Sequence, residues 1–155
     1  MYLRGIMILV RAGFSAVFIS IAVPGWAQQP QLPLLELSAG MHRIEAEVAA
    51  TPESRQTGMM LRTSMPSHRG MLFVFTDSAK HCMWMRNTLV PLSVAFLDEK
   101  GRILNVEEMQ PKTEDNHCAA KPARYALEMN LGWFRSRGLG AGFAIGGIDK
   151  APAGR

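Results

Sequence analysis

The sequence is poor in the residues that announce a chemistry. Its 155 residues include two cysteines, two tyrosines, three tryptophans and four histidines. There is no C-x-x-C, so a redox dithiol is not indicated. There is no G-x-S-x-G and no H-E-x-x-H, which removes the common signatures of serine hydrolases and zinc peptidases. No Lys/Arg cluster occurs, and without one there is no basis for a nucleic-acid surface. Internal repeats, heptads and low-complexity blocks are also missing, which leaves solenoids and coiled coils without support.

What is present begins with an export pattern. Arg4 and Arg11 give a basic start, an apolar run extends from Ala12 to Val23, and Pro24-Gly25 breaks it. Gly25 and Ala27 are small residues placed for cleavage before Gln28, so residues 1–27 are expected to be a signal peptide. Arg11 interrupts the stretch from Ile6 to Val23, which argues against an uncleaved anchor, the one route to a membrane here. No later segment is long and apolar enough to span. Removing 27 of the 155 residues leaves 128, and the net charge falls from +4 to +2 because Arg4 and Arg11 leave. A periplasmic or secreted monomer with one globular domain over residues 41–150 is expected, preceded by a Pro/Gln-containing linker over 28–40.

Hydrophobic patterning fills that domain with short strands. HRIEAEVA (42–49) alternates, with Ile44, Ala46 and Val48 against Arg43, Glu45 and Glu47. Thr51-Pro52-Glu53 supplies an N-cap, a proline at the first helical position and an acid, so a helix is expected from Pro52 to about Met60. GMLFVF (70–75), HCMWMRNT (81–88), the runs on either side of a turn at Asp98 to Gly101, RYALEMN (124–130) and GFAIGGI (142–148) read as strands. LGWFRSRG (131–138) reads as a second short helix ended by Gly138. The expected fold is α+β and strand-rich: a small antiparallel, partly closed barrel-like sheet with two short helices.

The densest chemistry is in HCMWM. If this is a strand, His81, Met83 and Met85 share one face, and Cys82, Trp84 and Arg86 the other. Imidazole and thioethers suit Cu(I), so His81, Met83 and Met85 form a candidate copper site. Methionine is equally a flexible core filler. Six of the methionines fall between Met59 and Met85. The two cysteines make a Cys82–Cys118 disulfide the expectation for an exported chain. His117 and Cys118 are adjacent and point apart in extended chain, so they do not make a nucleophile–base pair.

The segments RQTGMMLR (55–62), GMLFVF (70–75), WMRNTLVPL (84–92), AFLDEKGRI (95–103) and YALEMNLGW (125–133) resemble, in order and spacing, the prokaryotic family called domain of unknown function 192. The resemblance covers roughly residues 42–148 and is most specific at Trp84, Met85, Asn87, Thr88, Pro91 and Leu92. Arg55, Gly58, Met60 and Arg62 match a second piece. Two positions depart from the family pattern. Ser93 stands where members often carry an acid, and Gly142-Phe143 stands where Gly-Asp is common. The resemblance implies a fold and no established activity.

Polar residues embedded in apolar motifs remain: Arg62, Asn87, Thr88 and Glu128. Such groups must be hydrogen-bonded or open to a cleft. They form either an internal network fixing a turn or a recognition pocket floored by Trp84. The expected role is non-enzymatic: binding a small molecule, or acting as an accessory to an envelope protein. A periplasmic copper-binding protein and an unrecognised hydrolase are the alternatives.

Overall fold

The computed structural model describes residues 31–155, and the expected signal peptide lies outside them. Strand β1 (Leu34–Ala39) pairs antiparallel with β2 (His42–Ala49), and Gly40 turns the chain between them with φ 61°. The linker expected over 28–40 therefore already contains a strand. Its signal is weak because Leu34 and Glu36 are exposed while Leu37 and Ala39 are buried.

Helix α1 (Pro52–Thr57) begins as its residues dictate. The Thr51 hydroxyl accepts from the Ser54 N–H at 3.2 Å, and the Thr51 N–H donates to the Ser54 hydroxyl at 3.0 Å. It stops short of Met60 because Gly58 takes φ 45°. A Cβ at Gly58 would stand 3.1 Å from the Phe73 ring, so the end of the helix lies directly on β3.

β3 (Arg69–Ala79) runs parallel to β2 and antiparallel to β8 (Ala123–Asn130). β8 pairs with β5 (Leu92–Leu97), and β5 forms a hairpin with β6 (Ile103–Met109). The main sheet has the order β1-β2-β3-β8-β5-β6. It is a mixed sheet rather than the purely antiparallel one expected, because the chain returns from β2 to β3 through α1 instead of a tight turn.

The sheet is not closed by a continuous ladder. Between its edges lies segment 142–146, which makes only single bridges, Ser38 with Gly146 and Arg102 with Ala144. The strand expected at 142–148 is reduced to these bridges and a 3-10 turn at Ile148–Lys150. The second expected helix is likewise a single 3-10 turn, Arg135–Arg137. Gly132 adopts φ 77° and donates to the Ser93 hydroxyl at 2.7 Å, which breaks helical geometry at its start.

HCMWMRNT is not one strand. Only β4 (Cys82–Met83) pairs, with β7 (His117–Cys118). Beyond it the chain turns: Thr88 N–H donates to the Met85 carbonyl at 3.0 Å, and Asn87 takes a left-handed φ of 57°. The alternating burial expected from the sequence nevertheless holds, with Met85 fully buried and Cys82, Trp84 and Arg86 exposed.

The main sheet is buried on both faces. One carries Ile44, Leu72, Leu127 and Phe134 among its core. The other carries Phe73, Met85, Val94 and Phe96. Among the described residues no helix is long and apolar enough to cross a membrane.

Candidate functional site

The second face of the sheet has an opening. A cavity of about 340 Å³ lies between the sheet, the end of α1 and the β4 segment. Arg55 to Met60 form one wall, and His81, Cys82, Met83 and Trp84 form the opposite one. Phe73, Phe75, Thr76, Thr88 and Glu128 complete it.

Strand alternation explains why these groups meet. Phe73 and Phe75 project from β3 on one side of the sheet, and Glu128 projects from β8 on that same side. Met71 pairs with Glu128 in the β3–β8 ladder and belongs to the same core face as Phe73. Trp84, 46% exposed, stands at the margin.

Glu128 is the unusual member. It is 3% exposed, and its Oε2 has no hydrogen-bond partner among the described residues. Burial pushes its carboxyl up to about 8, against the opposing pull of the Arg62 guanidinium. At neutral pH it is therefore mostly a neutral acid. Arg62 gives both terminal nitrogens to Glu47, at 2.5 and 2.6 Å, a bidentate pair on part-buried side chains. The Glu47 hydrogen bonds hold the Arg62 guanidinium above its ordinary value.

Of the five pocket residues expected from sequence, Trp84, Thr88 and Glu128 line the cavity. Arg62 and Asn87 lie outside its lining. Arg62 acts on Glu128 through charge, and the Asn87 carbonyl accepts from the Leu61 N–H at 2.9 Å, tying the segment after Met60 to the one before Thr88. Glu47, the partner of Arg62, carries no local signal, because in sequence it is one of three polar residues on the solvent-facing side of the β2 alternation. Met59, Met60 and Phe75 carry none either, because apolar residues in a motif give no local sign of lining an opening.

The disulfide is present: Cys82 and Cys118 are bonded and both exposed, across the two-residue β4–β7 ladder. It holds the His81–Trp84 wall to the 117–119 segment, helped by the Ala119 N–H donating to the His81 carbonyl at 2.9 Å. His81 stacks on Phe75 with centroids 3.7 Å apart, and its Nε2 is 3.1 Å from the Asp77 carbonyl oxygen. Of the three residues named for copper, His81 and Met83 line the cavity and Met85 is enclosed in the core. Among the described residues no group of three His, Cys, Asp or Glu side chains could hold a metal ion.

The two family departures fall away from the cavity. Ser93, fully buried, has its hydroxyl engaged by the Gly132 N–H, and Gly142-Phe143 lies at the sheet's bridged edge. Arg55 is a structural clamp: it donates to main-chain oxygens of Ala50 at 2.8 Å, Val74 at 3.0 Å and Arg155 at 2.9 Å.

The model of a family described as "DUF192, Uncharacterized ACR" matches residues 35–146. No curated protein matches the chain. A crystal structure from Sinorhizobium meliloti 1021, provisionally described as a transcription regulator, is similar with 31% identity and a TM-score of 0.68, covering 74% of this chain and 92% of that one. A protein of unknown function from Novosphingobium aromaticivorans DSM 12444 is similar with 28% identity and a TM-score of 0.72, covering 80% of this chain and 92% of that one.

Proposed function

The chain belongs to the DUF192 family, and from that premise we propose that this member is an exported small-molecule-binding domain whose site is the cavity containing Trp84, Thr88 and Glu128. One observation carries the reading. A buried carboxyl group with an unpartnered oxygen lines an open cavity walled by aromatic and thioether side chains, and such a group is costly to keep unless something satisfies it. Aromatic and apolar walls with a few placed polar groups are the usual make-up of a ligand site. Export is supported by the basic and apolar N-terminal pattern and by the exposed disulfide, which persists in an oxidising compartment.

The test is a ligand-observed NMR screen of small amphipathic compounds against mature protein and a Met83→Trp variant. Met83 is half-buried in the cavity wall, so a tryptophan there should fill the space. Compounds that bind the wild type and not the variant would place the site. Binders indifferent to the variant would take the cavity out of the function.

Copper binding has an observation of its own. Met59 and Met60 join Met83 and His81 around the same cavity, a soft donor set larger than the one read from HCMWM. Anaerobic titration with Cu(I) against a chromogenic chelator tests it. A Met60→Leu/Met83→Leu variant that competes as well as the wild type would dismiss it.

A further inference from the structure

Resting on the pocket reading above, we propose that the ligand is a small organic ammonium ion, held by the Glu128 carboxylate against the thioether and aromatic walls of the cavity. The charges around Glu128 support this. Arg62 and Glu47 neutralise each other bidentately. Once Glu128 ionises, two acids face one guanidinium, and the cluster is short of one cation. Arg55, the cation in the cavity wall, is spent on three main-chain oxygens. The ladder partners of Glu128 on the neighbouring strands are Met71 and Val94, which carry no charge.

The walls fit the same class. Ring faces attract ammonium groups, most strongly when the group is desolvated, and thioethers are polarizable, adaptable neighbours for its alkyl part. Phe73, Trp84, Met60 and Met83 supply such surfaces beside Glu128. A hard metal ion takes six or more oxygen ligands, and Glu128 is the one carboxylate in the cavity lining. A ligand anion would add charge to the existing acids, and the guanidiniums nearest to it are already engaged by Glu47 and by main-chain carbonyls.

Binding is expected to be coupled to a proton. At neutral pH the acid carries a proton, which must leave when the ammonium arrives. The Glu128 carboxylic acid and a free alkylammonium ion become a carboxylate–alkylammonium pair, and one proton passes to solvent. Affinity should therefore rise about tenfold per pH unit up to about pH 8 and level off above it. The charged groups around Glu128 on the packed elements are Arg62, Glu47 across Met71, Glu107 across Val94 and Arg55 in the cavity wall. Arg62 keeps its charge through this range, because its Glu47 hydrogen bonds raise it further. His81 also lines the cavity. A His81→Gln variant measured alongside isolates the contribution of Glu128.

The experiment uses three four-carbon probes, n-butylammonium, butyramide and butyrate, followed by amide shifts of the mature oxidised protein. The expected result is that butylammonium shifts resonances around the cavity, with the pH slope above, in wild type and His81→Gln alike. Glu128→Gln should weaken it about tenfold or more at pH 8. Butyramide or butyrate binding in its place would overturn the ammonium assignment and leave the pocket standing. A pH-independent affinity, or one unchanged in a folded Glu128→Gln variant, would overturn it too. Silence from all three probes would also overturn the assignment, with the pocket then judged by the cavity-filled variant described above.

Discussion

Glu47 and Glu128 stand on the same rank of the sheet with a single residue between them: Met71 of β3 is the ladder partner of both. One acid has its counter-ion, and the other has an unpartnered oxygen. The difference in environment between the two gives the domain its expected pH response.

Replacing Glu128 with Gln should flatten the pH dependence of stability. In the folded state the carboxyl keeps its proton up to about 8, whereas the unfolded chain releases it near 4.5. Between those values the folded state binds more protons, so stability falls as pH rises, by about 1 kcal/mol per pH unit from this group. The penalty is absent below the lower value and complete above the higher one. Urea unfolding from pH 5 to pH 8 should show that slope in the wild type and not in Glu128→Gln. An unchanged slope would remove Glu128 as its origin.

Removing the Arg62 charge should cost stability and leave both acids without their shared cation. Arg62→Met is expected to lose about 1–3 kcal/mol, less than a fully buried pair because both side chains are partly exposed. Chemical denaturation gives the number, and the Arg62→Met/Glu47→Gln double variant should recover part of it.

Reduction of the Cys82–Cys118 bridge should loosen the β4 wall. The cysteines are 36 residues apart, which allows at most about 4 kcal/mol from restriction of the unfolded chain. A Cys82→Ser/Cys118→Ser variant is expected to melt lower. Its greatest loss of amide protection should fall at 81–84 and 117–119. Peptide mapping without reductant should recover one linked pair from exported protein, and two alkylated thiols would contradict the bond.

Met85 and Met83 should behave differently although they sit two residues apart. Met85 is enclosed in the second core, and Met85→Ala should lose about 2–5 kcal/mol. Met83 is half-buried at the cavity wall, so Met83→Ala should cost less and enlarge the opening. Parallel thermal melts of the two variants decide the order.

Local signals in the sequence account for the parts of the fold that it makes legible. β2 and β8 show their alternation in the sequence, the turn at Asp98 to Gly101 marks the β5–β6 hairpin, and Thr51-Pro52 marks the start of α1. The cysteine pair follows from count and the expected compartment. What stays hidden depends on distant contacts. The parallel β2–β3 pairing, the strand in LLELSA, and the link between Arg62 and Glu47 are set by neighbours far along the chain. HCMWMRNT misleads because its burial alternates like that of a strand, while a left-handed Asn87 and the Thr88–Met85 bond turn the backbone. Trp84, Thr88 and Glu128 stand out by polarity in apolar surroundings or by motif. Nothing in single residues distinguishes them from Asn87, whose carbonyl serves the fold.

The return from β2 to β3 has a consequence for how an occupant would be sensed. Because those strands run parallel, residues 50–68 are an obligatory bridge between them, and that same bridge supplies the α1 wall of the cavity. A molecule that gripped this wall would brace the span joining two central strands. Its grip would then be registered in the slow opening of the sheet as a whole, well away from the atoms it touches.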